Sequence, residues 1–364
     1  MNNAEERYHR QVILPGIGSA GQEKLRNSKV LVVGAGGLGC PVLLYLATAG
    51  VGLLGIADAD TVSLTNLHRQ VLFGEAEIDS AKTQVAKQKL QGLNSGVHVN
   101  LYSKRVTREN VMDLAACYDI VIDCTDNFPS RYVLSDACAI IRKPLIFGAM
   151  SQFEGQIAVL NLEYEHGTAT NYRDLFPDPP SEGEVLSCSE AGVLNVLAGV
   201  IGTMMAAECI KIITGIGTPL RNQLLSYNLL SHQQCIIHIS PHQAGRKNMP
   251  KTAEELLVTN YELKAFESGT HEIDKEQFLM LMQDADTLLA DVRESWELPV
   301  IKNYHTVQIP LATIEQHLEE FDAKNIILFC QSGQRSAFAA KLLIQKLGSE
   351  KNIVSLRNGI SDLI

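Results

Sequence analysis

Lys29-Val30-Leu31-Val32-Val33-Gly34-Ala35-Gly36-Gly37-Leu38-Gly39-Cys40-Pro41 decides the fold of the N-terminal part of the chain. The branched apolar run 29–33 reads as a buried strand. Gly34, Gly36, Gly37 and Gly39 come next in the pattern G-x-G-x-x-G. Residues 40–49 then read as a helix with Pro41 in its first turn, where a missing N–H is tolerated. Glycines let the backbone turn tightly and approach a phosphate, while the helix N-terminus adds amide donors and partial positive charge. Residues 53–58 form a second strand and complete a βαβ unit. Asp58 closes it, where an acid can bind ribose hydroxyls. Alone, this pattern announces a nucleotide, most often NAD, or a tight turn with no ligand.

Working outward, strands are expected at 119–123 and 144–147, with a helix at 81–90 among the connecting stretches. Strand–helix alternation predicts an α/β fold: a Rossmann-like, doubly wound, mostly parallel sheet covered on both faces. Residues 156–162 and 224–239 read as an antiparallel extension. Composition changes near Gly245, where the chain becomes polar and poor in apolar residues. The expected division is a first domain over 1–245, a linker over 246–270 and a smaller α/β domain over 271–364. The last contains strands at 287–292 and 325–329 and a helix over 335–347.

The 364 residues carry a net charge of −10, which argues against a nucleic-acid partner that would need a basic footprint. The eight cysteines form no Cys-x-x-Cys pair, so a disulfide framework is not expected. The first residues are acidic and lack an apolar core, unlike a secretory signal; the cytoplasm is the expected compartment. Residues 191–207 carry no charge but include Asn195, Gly199, Gly202 and Thr203. A buried helix, at a core or a dimer interface, is expected there rather than a membrane span.

The segment after the second strand argues against a dehydrogenase, which has no need for Asn66-Leu67-His68-Arg69-Gln70. Phosphoryl or nucleotidyl transfer does need fixed cations, because charge builds on phosphate oxygens. Arg69 and Lys82 would supply them. Asp126, just past the strand ending at Asp123, is placed for a magnesium ion. Each has a plainer alternative: Arg10 and Arg69 as surface ion-pair partners, Lys82 as one more solvated lysine beside Lys87 and Lys89, Asn66 as a helix cap, Asp126 as an Asx-turn.

Arg7-Tyr8-x-Arg10-Gln11, the glycine loop, Asp58-x-Asp60-x-Val62, Asn66-Leu67-x-Arg69-Gln70, Lys82, Thr125-Asp126-Asn127, Glu154-Gly155-Gln156 and Cys188-x-Glu190-Ala191-Gly192-Val193 together carry a resemblance. From about Arg7 to Ser240 the chain resembles the MoeB/ThiF/HesA family, bacterial relatives of ubiquitin-activating enzymes. The resemblance implies adenylation, with ATP, of the C-terminal glycine of a small β-grasp carrier ending Gly-Gly. It implies that Asp58 holds ribose, that Asn66, Arg69 and Lys82 hold phosphates, and that Asp126 holds magnesium. It implies that Asp60, Gln70 and Asn127 belong to the same nucleotide site. Arg10 is implied to reach the phosphates of a neighbouring subunit, so a homodimer is expected. Many members bind structural zinc through two Cys-x-x-Cys pairs. Here the corresponding positions are Asn171-Tyr172-Arg173-Asp174 and the stretch near Pro241–Gly245, without cysteine. No zinc is expected, and ordinary packing should hold that loop. Cys188 occupies the position that in some relatives forms a thioester or acyl-disulfide with the carrier; a small buried residue is the other reading.

At the other end, Cys330-Gln331-Ser332-Gly333-Gln334-Arg335-Ser336 succeeds a strand and opens a helix. Loop amides and the helix dipole favour a thiolate or persulfide anion, and Arg335 should add positive charge. The alternative is an inert buried cysteine. With Asp291-Val292-Arg293-Glu294 and Asn358-Gly359-Ile360, this loop resembles the rhodanese family from about Ile273 onward. The aromatic that usually comes after the late glycine turn is missing and the sequence stops at Ile364, so the domain's last helix is expected to be short or absent. The domain order matches adenylyltransferase–sulfurtransferase proteins of molybdopterin synthesis and tRNA thiolation. It implies that a Cys330 persulfide, charged by a sulfur donor such as a cysteine desulfurase, converts the carrier adenylate to a thiocarboxylate. An NAD-dependent oxidoreductase with an unrelated tail and a non-enzymatic carrier-binding scaffold are the competing readings.

Overall fold

The computed structural model describes residues 3–163, 167–180, 192–261, 272–348 and 350–363. They form two compact units, the first running to Tyr261 and the second taking in the described residues from 272 onward. The first unit is built on β1 (Lys29–Val33), β2 (Leu53–Ala57), β3 (His98–Tyr102), β4 (Ile120–Asp123), β5 (Leu145–Ser151), β6 (Glu154–Leu160), β7 (Gln223–Asn228) and β8 (Gln234–His238). Their order is β3-β2-β1-β4-β5-β6-β7-β8. The strands from β3 to β5 are parallel, and β6, β7 and β8 extend the sheet antiparallel. Side chains of β1 alternate. Val30 and Val32 enter an apolar layer with the helices Gly39–Ala49 and Asn195–Thr214, while Leu31 and Val33 meet Val111–Ala116 and Phe128–Ile140 on the other face. This is the expected doubly wound sheet.

Register positions the site. Val33 lies opposite both Ala57 and Asp123, and Ala57 lies opposite Tyr102. The loops after β1, β2, β3 and β4 therefore leave the sheet along one edge, where strand order reverses between β1 and β4, the crevice in which such sheets bind ligands. The strand β3 was not expected from the sequence; its polar–apolar alternation suits a sheet edge.

Asn195–Thr214 is long and apolar enough to cross a membrane by length and composition. Here Leu197, Ile201, Met205 and Cys209 face the core at helical spacing. Gly202 lies against Pro41 and the Leu38 carbonyl, where a side chain would collide. The stretch 246–270, expected to be a linker, is folded as far as Tyr261. Helix Ala253–Val258 inserts Leu256, and Tyr261 goes after it into the first unit's core. The polar run before it masks these anchors.

Packing holds the segment at the cysteine-free positions, with Tyr172 buried against Tyr132, Phe147 and Phe176, and an ion pair adds to it. Asp174 accepts from the His242 amide at 2.8 Å and from Arg246 Nε at 2.8 Å, and Arg246 Nη2 also reaches the Ala169 carbonyl. The 171–174 and 241–246 segments are thereby joined. Next to them Arg173 pairs with Asp136 at 2.8 Å, with side chains only 4% and 0% exposed, and Tyr261 donates to the same carboxylate at 3.0 Å.

The second unit carries β9 (Glu272–Ile273), β10 (Thr287–Asp291), β11 (Val307–Gln308), β12 (Asn325–Phe329) and β13 (Asn352–Leu356), in the order β11-β10-β12-β13-β9, all parallel. Helix Gln334–Leu347 covers one face, and the C-terminal end is a 3-10 turn, Gly359–Asp362, with Ile360 and Leu363 buried.

Removing one partner of a buried pair strands the other charge. Asp136→Ala should lower stability by about 3–5 kcal/mol, read as a fall in urea midpoint; an unchanged midpoint would mean that the pair does not hold this corner.

Candidate active sites

At the β1–β4 switch point lies a crevice of about 350 Å³, within the usual range for small-molecule sites. Gly34, Gly36, Gly37, Asp58, Asp60, Asn66, Arg69, Gln70, Lys82, Asp126 and Asn127 all line it. Gly39 does not. It begins the helix and packs on the Gly34 carbonyl, leaving no room for a Cβ. Arg10 is exposed on the N-terminal helix Asn3–Val12 and takes no part in the crevice of its own chain. Cys188 lies outside the described residues.

The crevice is braced from the end of β2. One Asp58 oxygen accepts from the Ala35 amide at 2.7 Å and the other from the Asp60 amide at 2.8 Å. Burial pushes the Asp58 carboxyl up, and the nearby Lys82 charge opposes this. Lys82 is 3% exposed and donates to Asp60 Oδ2 at 3.0 Å. It is therefore an enclosed cation, not the solvated lysine that its neighbours Lys87 and Lys89 would suggest. Asn66 belongs to the 3-10 turn Leu64–Asn66, and its Oδ1 accepts from Arg69 Nη2 at 2.9 Å. That bond aims the guanidinium and leaves the Asn66 amide free to donate. Gln70 Oε1 is buried without a hydrogen-bond partner among the described residues.

Past β4, Asp123 rather than Asp126 makes the local turn, accepting from the Thr125 amide and hydroxyl. Asn127 caps helix Phe128–Ile140 through Ser130 at 3.0 Å. Asp126 is left exposed at the crevice. Magnesium keeps much of its water and is usually held by one or two carboxylates plus phosphates, and a single exposed Asp126 fits that demand. Cys124 also lines the crevice, but burial pushes its thiol well up, making it a wall and not a nucleophile.

Sequence reasoning missed Lys104, Arg105, Ser130, Arg131 and Met150, which also line the crevice. Lys104 and Arg105 come just after β3; recognising that strand would have brought them to the same edge. Arg131 is nearly buried, reaches the Thr125 carbonyl at 3.1 Å and stacks over Phe128 and Phe147.

In the second unit, Cys330 comes directly after β12 and is fully buried. Its Sγ accepts from the Gly333 amide at 3.1 Å and lies 3.6 Å from Ser336 Oγ. Gly333 has φ of +93° and abuts the Arg357 carbonyl, so only glycine turns this loop. Gln331, Ser332 and Gln334 are exposed around it. Arg335 differs from expectation. Its terminal nitrogens bind Glu297 at 2.6 and 2.7 Å, so its charge is matched by a carboxylate instead of facing the sulfur alone. Asp291 and Arg293 form a buried pair beside the loop.

Residues 8–249 match the ThiF family and residues 274–363 the rhodanese-like domain. The "Sulfur carrier protein adenylyltransferase" of Thermus thermophilus is 50% identical over 226 residues, 62% of this chain and 83% of that protein. The "Probable adenylyltransferase/sulfurtransferase MoeZ" of Mycobacterium tuberculosis is 36% identical over 359 residues, 97% of this chain and 91% of that one. The "Adenylyltransferase and sulfurtransferase MOCS3" of Drosophila grimshawi is 38% identical, covering 93% and 80%. Among solved structures, E. coli MccB with ATP matches with a TM-score of 0.56 at 25% identity, over 66% of this chain and 73% of that one.

Glu297→Ala should strip the buried Arg335 guanidinium of its bidentate carboxylate, at a cost of about 3 kcal/mol. Thermal unfolding of the full chain should show the loss; an unchanged profile would mean that Arg335 finds another partner.

Proposed function

The chain belongs to the ThiF family and continues into a rhodanese-like domain, and on that premise we propose a two-step reaction. The protein adenylates the C-terminal glycine of a small β-grasp sulfur carrier with ATP, then passes it sulfur from Cys330, giving a thiocarboxylate. One observation carries the reading: a single crevice gathers the glycine loop, Asp58, Asn66, Arg69, Lys82 and Asp126. It lies in a chain aligned over 97% of its length with an adenylyltransferase/sulfurtransferase.

In the first step a carboxylate oxygen of the carrier attacks the α-phosphorus of ATP, and pyrophosphate leaves. Asn66, Arg69 and Lys82 hold phosphate oxygens as charge builds on them. Asp58, with Asp60 and Gln70 beside it, orients the ribose side of the nucleotide. Magnesium, bound at Asp126, would offset charge on the leaving pyrophosphate. Arg10 acts in the crevice of a second subunit, which makes the working unit a homodimer. In the second step the outer sulfur of a Cys330 persulfide attacks the acyl carbon and AMP leaves. A thiol reductant then splits the acyl disulfide into carrier thiocarboxylate and Cys330 thiol. The persulfide comes from a donor such as a cysteine desulfurase. Carriers of molybdopterin, thiamin or tRNA thiolation fit this chemistry, and the cytoplasm is its setting. Carrying both centres on one chain raises their effective concentration for a shared carrier.

Asp126→Ala should cut ATP–pyrophosphate exchange by about a hundredfold or more while Cys330 still accepts sulfur. Lys82→Ala should weaken ATP binding by about tenfold to a hundredfold, measured calorimetrically. Cys330→Ala should keep exchange and lose thiocarboxylate, weighed on the intact carrier; normal thiocarboxylate from this variant would refute the sulfur-transfer step.

A further inference from the structure

A second polar layer lies behind the sulfur loop. Ser355 is fully buried in the otherwise apolar middle of β13. A hydroxyl there is costly unless hydrogen-bonded. Its partners are Ser336 Oγ at 2.8 Å and the Gly333 carbonyl at 3.4 Å. Ser336, also fully buried, reaches the Gly333 carbonyl at 3.0 Å and Cys330 Sγ at 3.6 Å. Strand register produces the alignment. Ser355 lies opposite Leu328, and Cys330, the second residue after Leu328, faces the same side of the sheet.

Each hydroxyl has a single proton to donate, and the acceptors within reach are the Gly333 carbonyl, Ser336 Oγ and Cys330 Sγ. With a neutral thiol, a weak acceptor, the Ser336 proton belongs on the carbonyl. With an anionic sulfur, the charge-assisted bond is the stronger one, and the proton turns to Sγ. The buried carbonyl keeps the Ala337 amide at 3.0 Å, and Ser355, donating to Ser336 Oγ at 2.8 Å, polarises that hydroxyl as a donor to sulfur. The Arg335 charge is matched by Glu297, so this hydroxyl and the Gly333 amide are left as the direct donors to sulfur that the structure records.

We propose that Ser355 is a positioning residue for sulfur chemistry: it donates to Ser336 Oγ and so polarises that hydroxyl as a donor to an anionic sulfur on Cys330. This rests on the reading of Cys330 as the sulfur carrier, but its test does not require transfer to any partner. In the full-length protein, the rate of modification by methyl methanethiosulfonate, which tracks thiolate, is measured across a pH series. It is read on the Cys330 peptide by mass, so that exposed Cys117 and Cys235 do not interfere. Ser336→Ala should slow Cys330 modification about tenfold at neutral pH and move its profile to higher pH. Ser355→Ala should move it the same way by less, and Ser355→Thr, which restores a hydroxyl, should recover it. The double variant should match Ser336→Ala alone, because Ser355 reaches sulfur only through Ser336. A wild-type profile in Ser355→Ala, or effects that add in the double variant, would overturn the proposal. A normal relay in a protein that forms no thiocarboxylate would instead count against the transfer reading and leave the relay standing.

Discussion

The carboxylate of Asp58 ties the nucleotide end together by accepting two backbone amides, from Ala35 and Asp60. Ala35 lies inside the glycine loop after β1, and Asp60 opens the segment that leads to Asn66 and Arg69. One side chain thus fixes the distance between the glycine loop and the segment that carries Asn66 and Arg69. Asp60 passes the constraint on, because its own carboxylate holds Lys82 at the head of helix Lys82–Leu93. The β1–β2 register makes the arrangement possible by ending both strands level. A preorganised site of this kind meets developing charge without moving.

The second unit repeats the principle at smaller scale: a parallel strand ends, a glycine turns the chain, and a helix begins. In the first unit this geometry sets the glycine loop along the crevice. In the second, the Gly333 amide points at a sulfur atom. The difference lies in the cations. Lys82 lines the crevice while bound by one oxygen of Asp60, and Arg69 lines it beside Asn66, whereas Arg335 is held by both oxygens of Glu297.

Much of this was legible in the sequence because strand ends, glycine spacing and charged residues after strands are local signals. The glycine loop, Asp58, Asn66, Arg69, Gln70, Lys82, Asp126 and Asn127 were all recognisable and do converge. What escaped depended on pairing between distant segments. The half-polar pattern of β3 hid Lys104 and Arg105. Tyr261 looked like linker because its partner, Asp136, is 125 residues away. Glu297 gave no sign that it would claim Arg335, and Ser355 lies in a strand, β13, that was not expected. Burial of Lys82 was equally invisible, since its helix neighbours are lysines that remain in water.

The joint between the 171–174 and 241–246 segments has a chemical corollary. Persulfides exchange with thiolates, and a cysteine-held metal site offers such sulfurs to any persulfide that passes. Here the connection is made by Asp174 and Arg246, groups with no thiolate to exchange. On the proposed role of Cys330, this corner has a fastening that reactive sulfur cannot undo.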